Sequence, residues 1–152
     1  VGLPPEQALS NITAHLASRL PGRTDTRPES IFMNAGGWMG SITLLYASTT
    51  EYVLFFGTGM HTSGHSGRYW AHIEDTMLSG SFRQWREGEL SSRLFQPGDR
   101  IVHRRWEATG VEWTPGTYML EYGRGVLPST LPFAFADSVT GTLDLLTVVK
   151  TL

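Results

Sequence analysis

Two carboxylates in this sequence stand where a carboxylate is costly to place. In HSGRYWAHIEDTMLSGSFRQWR, residues 65–86, alternation puts Tyr69, Ala71, Ile73, Asp75 and Met77 on one face and Trp70, His72, Glu74 and Thr76 on the other. The first face is largely apolar and carries Asp75 at its middle. An ionised carboxylate in such a setting costs several kcal/mol after relaxation unless a partner compensates it. In TYMLEYG, residues 117–123, Glu121 shares a face with Thr117 and Met119, opposite Tyr118, Leu120 and Tyr122, so both faces are largely apolar. Two acids in one apolar interior can share a proton, because like charges at short range raise one pKa steeply. Such a pair either donates and abstracts protons or presents negative charge to a buried cation. The plain alternative is an edge position or pairing with an arginine such as Arg68 or Arg124, and by residue type alone that is the commoner fate of a strand acid.

Composition narrows the rest. The chain has 12 Lys and Arg against 14 Asp and Glu, a formal charge of -2, which gives no general basic field for nucleic acid. It has no cysteine, which removes disulfides, thiolate ligands and thiol nucleophiles. No apolar run reaches the roughly 18 to 20 residues of a membrane span. The chain starts at Val1 rather than Met, so removal of a preceding segment is an open expectation.

The elements that must position the two acids follow from periodicity. At 152 residues the chain has the length of one domain. Residues 1–30 read as an amphipathic helix, with Pro4 and Pro5 at its start and Ala8, Ile12, Leu16 and Leu20 at four-residue spacing, followed by a polar linker from Pro21 to Ser30. Residues 31–127 change to short β-rich runs, IFMNAG, SITLLYAS, EYVLFFG, the stretch from His65, SSRLF, DRIVHRRWEATGVEW and TYMLEYG. Between them stand turns at Gly36–Gly37, Gly57–Gly59, Ser63–Gly67, Pro97–Asp99 and Thr114–Gly116. This spacing predicts a mainly β protein, a closed antiparallel barrel or jelly roll, with flanking α-helices. Residues 128–152 read as one or two apolar helices, starting near Pro128 and Ser129 and broken at Gly141.

Several long motifs go further than periodicity. NAGGWMG (34–40), TEYVLFFGT (50–58), GHSGRYWAHIEDTMLSG (64–80), QWREG (84–88) and EYGRGVLPSTL (121–131) closely resemble the sigma-1 receptor and sterol Δ8-Δ7 isomerase family, over Ile31 to Leu152 and nearly without gaps. The resemblance implies a cupin-like β-barrel enclosing an elongated apolar pocket. It also implies that Glu121 forms the salt bridge to a ligand amine and that Asp75 hydrogen-bonds to Glu121. Family pocket positions fall on Met33, Trp38, Leu44, Tyr52, Leu54, Phe56, Ile73, His103, Trp113, Thr130, Leu131 and Ala134. Tyr52, Leu54 and Phe56 alternate onto one strand face, and Ile73 shares the face of Asp75, although plain core packing would suit each of them too. Glu51 matches a family glutamate tied to barrel structure; it alternates away from Tyr52 and is read as a hydrogen-bonding support.

A cupin-like barrel raises the question of a metal, and FQPGDRIVH (95–103) has the tight turn followed by histidine of that superfamily. Three or four ligands must converge on a metal. Among His15, His61, His65, His72 and His103 no close pair shares a strand face, so neither a metal nor another cofactor is expected.

Two functions are compatible with the pattern. One is a ligand-binding domain in which Glu121 and Asp75 hold a hydrophobic cationic amine or a sterol-like molecule. The other is a sterol Δ8-to-Δ7 isomerase using the same acids as catalytic groups through a carbocation. Binding is favoured, since the motifs are nearer the receptor branch and His72 stands where the relatives carry an acid. The resemblance further implies a homotrimer at the endoplasmic reticulum membrane, with C-terminal helices that cover the pocket mouth and contact the membrane peripherally. The family's N-terminal transmembrane helix has no counterpart in the sequence given, which allows a soluble protein. Lys150 interrupts the last apolar run.

Overall fold

The computed structural model describes residues 2–152. Helix α1 (Pro5–Arg19) begins with proline in its first turn, where the missing N–H would have had no helical partner, and ends with Arg19 against the carbonyl end of the dipole. Thr13 is its one buried residue, and Ile12 and Leu16 lie half-buried beside it. Near its start, Pro5 and Leu9 line a groove with Phe32, Phe55 and Tyr118. A coil then leads to ten strands: β1 (Ser30–Ala35), β2 (Trp38–Ala47), β3 (Glu51–Thr58), β4 (Thr62–His65), β5 (Ala71–Ser79), β6 (Phe82–Arg86), β7 (Arg93–Phe95), β8 (Arg100–His103), β9 (Thr109–Trp113) and β10 (Thr117–Gly125).

These strands form two antiparallel sheets, ordered β1-β2-β3-β10-β5-β8 and β4-β9-β6-β7. The strand pattern is that of a jelly roll, as the sequence suggests. Inward positions alternate along β5, where Ala71, Ile73, Asp75 and Met77 are buried while His72, Glu74 and Thr76 are less so. The sheets meet over Phe56, Met77, Phe82, Ile101, Trp113 and Met119. Trp113 of the smaller sheet stands 5.0 Å from Phe56 and 5.4 Å from Trp38 of the larger one, ring centre to ring centre, so the two sheets are tied through aromatic contacts.

Two boundaries differ from the expectation. Part of the Gly/Ser-rich stretch at 63–67 is a strand, since β4 pairs with β9 from Thr62↔Trp113 to His65↔Gly110; backbone pairing here overrides the turn-forming residue types. The stretch from His65 to Arg86 is two strands in different sheets, divided at Gly80. That residue has φ +74, and a Cβ there would lie 2.5 Å from the Thr117 Cα, so glycine alone fits the corner.

The C-terminal segment is a 3₁₀ turn (Leu127–Thr130) followed by α2 (Leu131–Thr140) and α3 (Leu145–Thr151), with Gly141 ending α2. Asp144 caps α3, accepting from the Thr147 amide at 3.1 Å and the Thr147 hydroxyl at 2.6 Å. Both helices pack against β1, and Lys150 forms an ion pair with Glu29 in the coil before it. Leu143, Leu145, Leu146, Val149 and Leu152 remain exposed. Among the described residues no helix is long and apolar enough to cross a membrane.

Phe82, 1 % exposed between the sheets, should be the costliest aromatic to truncate: Phe82→Ala is expected to lower stability by about 3–5 kcal/mol, read from the urea unfolding midpoint.

Candidate functional site

The register of three adjacent strands builds the site. Glu121 on β10 lies opposite Asp75 on β5 on one side and opposite Leu54 on β3 on the other. All three point inward, so the two carboxylates are cross-strand neighbours inside the barrel. Tyr52 reaches the same point from β3: its hydroxyl donates to Glu121 Oε1 at 2.5 Å. Its strand partner is Gly123, where a Cβ would sit 2.3 Å from the Tyr52 ring; the missing side chain is what lets the ring lie across β10.

Asp75 is held from the other flank. His103, at the end of β8, places Nε2 3.3 Å from Asp75 Oδ2, and its Nδ1 lies 3.3 Å from Gln84 Nε2 on β6. In the tautomer whose Nδ1 accepts from the Gln84 amide, Nε2–H donates to Asp75. Gln84 is 1 % exposed and Asp75 3 %, so this line of contacts is dry. Asp75 Oδ1, Gln84 Oε1 and Trp113 Nε1 are buried without a hydrogen-bond partner, an arrangement that leaves acceptors and a donor for a guest or for water.

Electrostatics follow from burial. The Glu121 carboxyl is pushed well above the usual carboxylate range, first by burial and then by the charge of Asp75, against the hydrogen bond from Tyr52, which pulls it down. Burial and the Glu121 charge raise the Tyr52 hydroxyl, and the same two causes raise that of Tyr69. Neither acid is paired with an arginine. Arg68 binds Glu87 on the surface, and Arg124 alternates to the outer face, so the bland fate of a strand acid is not the one found.

These groups open onto a cavity of about 710 Å³. Met33, Trp38, Leu44, Tyr52, Leu54, Phe56, Ile73, His103, Trp113, Thr130, Leu131 and Ala134 all line it, together with Asp75 and Glu121. Trp38, Phe56 and Trp113 form one wall, with ring centres 5.0 to 5.5 Å apart. The 3₁₀ turn and α2 supply part of another, and Leu44, 46 % exposed, belongs to the mouth. Sequence reasoning missed Gln84 and Phe133. Gln84 shares the face of Phe82 in FRQWR, so a polar residue at an inward position was the available signal; Phe133 stands in a helix and gives no such sign. Glu51 faces outward and accepts from the Tyr122 hydroxyl at 2.9 Å and the Tyr46 hydroxyl at 3.4 Å, tying β3 to β10 and β2.

His72 needs a correction. It projects from the outer face of β5, 3.1 Å from Glu74, on the side of the strand away from Asp75. The residue type at that position therefore adds or removes nothing inside the cavity, and it no longer counts against catalysis. Among the described residues no group of three or more His, Cys, Asp or Glu side chains could hold a metal ion.

The comparisons with known proteins agree with this architecture. Residues 2–152 match the model of a family described as ERG2 and Sigma1 receptor like protein. The chain is 58% identical to the Sigma non-opioid intracellular receptor 1 of Xenopus tropicalis, over 99% of this chain and 69% of that protein. The chain belongs to the ERG2 and sigma-1 receptor family. Its counterpart in Danio rerio is 56% identical over 96% of this chain and 67% of its own length. A protein erg2 homolog of Dictyostelium discoideum is 37% identical over 95% and 62%. The ERG2 and sigma-1 receptor family thus includes both a named receptor and an ERG2 homologue, and membership alone leaves enzymatic activity open. Among solved structures, an RmlC-like cupin from Shewanella frigidimarina superposes with a TM-score of 0.56 at 11% identity, covering 65% of this chain and 85% of its own. The polyketide cyclase RemF from Streptomyces resistomycificus gives 0.55 at 16%, covering 66% and 74%. At such identities the likeness shows the fold, a cupin-like barrel.

The raised Glu121 pKa sets a pH dependence. The folded chain keeps a proton that the unfolded chain releases near pH 4.3, so this stabilisation is complete below that value and is lost as pH rises towards the folded pKa. Glu121→Gln mimics the protonated acid and escapes the loss. In urea titrations at a series of pH values, the variant's stability relative to the unaltered protein should grow as pH is raised above about 4.5.

Proposed function

We propose that this chain is a sigma-1-receptor-like ligand-binding domain whose barrel takes a hydrophobic cationic amine or a sterol-like molecule. The observation that carries the reading is an acid pair, Glu121 and Asp75, buried in an otherwise largely apolar cavity with no arginine or lysine bound to either acid. An ammonium group supplies the missing countercharge, and its apolar arms cover the walls formed by Trp38, Phe56, Ile73 and Trp113. Glu121 is the primary partner, since it holds the proton that an incoming cation would displace, while Asp75, anchored by His103, adds charge behind it. Removing one member of a buried pair typically costs about 3–5 kcal/mol. The family resemblance supports extending the reading to a homotrimer at the endoplasmic reticulum membrane, with the C-terminal helices near the lipid.

Calorimetry tests this directly. Glu121→Gln should weaken amine binding by about a hundredfold or more while the fold is kept; unchanged affinity would sink the proposal. In the unaltered protein, binding at a pH where Glu121 keeps its proton should release that proton, seen as a binding enthalpy that changes with the ionisation enthalpy of the buffer.

The shared proton favours a second reading, a sterol Δ8-to-Δ7 isomerase. Protonated Glu121 would donate to the ring alkene, the pair would stabilise the resulting carbocation, and a carboxylate would remove a proton from the neighbouring carbon. Amines would then bind as mimics of the cation. Incubation with a Δ8 sterol decides between the two: Δ7 product that disappears in Glu121→Gln and Asp75→Asn establishes catalysis, whereas no product leaves binding as the function.

A further inference from the structure

Strand register sets basic side chains abreast on the outside of the large sheet, away from the cavity. Arg124 of β10 lies opposite His72 of β5, and Ile73 lies opposite His103 of β8, so Arg104, the next residue, comes level with His72 on its other flank. By alternation Arg124 and His72 both face outward, since their neighbours Gly123 and Ile73 face in. Arg105 joins them, and with Thr50 and Gly125 these residues line a surface recess. Among the described residues none of the three guanidiniums takes part in an ion pair. The carboxylates around them are engaged elsewhere: Glu74 touches His72 but is bound by Arg100, Glu51, opposite Arg124, accepts from the Tyr46 and Tyr122 hydroxyls, and Glu107, which accepts from the Arg104 amide, pairs with Arg86.

Three guanidiniums gathered without an ion-pair partner repel one another, and the chain's formal charge of -2 shows that this is a local feature rather than a general basic surface. Burial and these same arginines hold the His72 imidazole below its ordinary pKa. The recess is bordered by a second unusual feature. Trp70 and Trp106 stack with ring centres 4.8 Å apart, yet they are 53 % and 51 % exposed. Trp106 is held in the left-handed region at φ +61, costly for a bulky residue. Its amide donates to the Tyr69 carbonyl, and its own carbonyl accepts from Arg68 at 2.7 Å. Exposed indoles beside unpaired arginines are the side chains that favour the phosphate-rich interface of a bilayer.

We propose that Arg104, Arg105, Arg124 and His72 form an oxyanion site for a phosphate group, and that its source is an anionic lipid headgroup, with Trp70 and Trp106 seated in the headgroup layer. Arginine forks suit phosphate through paired charge-assisted hydrogen bonds. The site is independent of the barrel ligand, lying on the opposite side of β5.

The test uses the whole chain and two probes. Inorganic phosphate should shift the His72 ring resonances saturably in NMR titrations. Sedimentation should show tighter binding to phosphatidylcholine vesicles containing a phosphoinositide than to phosphatidylcholine alone. Arg104→Gln/Arg105→Gln/Arg124→Gln should weaken both interactions at least about tenfold, as loss of charge-assisted bonds requires, while circular dichroism and barrel-ligand affinity stay unchanged. Trp106→Ala should weaken vesicle binding alone. Saturable phosphate binding without vesicle preference upholds the oxyanion site and overturns the lipid source. Absence of both responses, or equal vesicle and phosphate binding by the triple variant, overturns the proposal.

Discussion

The structure turns on placing two carboxylates opposite each other in a dry barrel. Glu121 and Asp75 occupy one cross-strand register, Asp75 fully buried and Glu121 half-buried at the cavity wall. Uncompensated, the two charges would drive β5 and β10 apart or draw water into the interior. The fold answers with a tyrosine hydroxyl and an imidazole instead of arginine or lysine. The Tyr52 hydroxyl approaches Glu121 across Gly123, the His103 imidazole approaches Asp75, and burial together with Asp75 holds the Glu121 carboxyl above the usual carboxylate range. Each donor removes part of the cost without itself neutralising a carboxylate.

Because the donors come from different strands, the site depends on the whole sheet. β3 brings Tyr52, β8 brings His103, and β6 in the other sheet brings Gln84 to fix the imidazole. Glu51 ties the outer faces of β2, β3 and β10, where a shift of register would carry Tyr52 away from Glu121. The aromatic wall of Trp38, Phe56 and Trp113 belongs both to the core cluster and to the cavity, so truncating it for binding studies also removes packing.

Much of this was legible in the sequence because strand alternation has a fixed period. It placed Asp75, Ile73 and Met77 on an inner face, set Glu121 beside Met119, and separated Tyr52 from Glu51. Alternation says nothing about which strands are neighbours, so only the family resemblance supplied Glu121 as the companion of Asp75. The pairing of Tyr52 with Glu121 across Gly123 was unreadable, since a glycine in a strand does not announce what crosses it. The β4 strand was missed because Ser, Gly and His are turn-forming types whose strand conformation comes from pairing with β9. His72 was misjudged when its place in the motif outweighed its parity: an odd offset of three from Asp75 puts it on the other side of the sheet.

The adjacency of the acids would let one site serve either of the two proposed functions, binding or double-bond migration. Moving a double bond adds a proton at one carbon and removes one from another, with no net change. If Glu121 donates and Asp75 receives, the site ends with its proton on the wrong carboxyl. In cross-strand neighbours, transfer between the acids restores the starting state without a route to bulk water. His103 favours that return, because its N–H stabilises Asp75 as an acceptor anion. A permanent ammonium in the same place takes no proton from Glu121 and cannot complete the cycle, so it remains as a bound ligand. On the proposed readings, the outcome would be decided by whether the guest brings an alkene or a fixed charge to the pair.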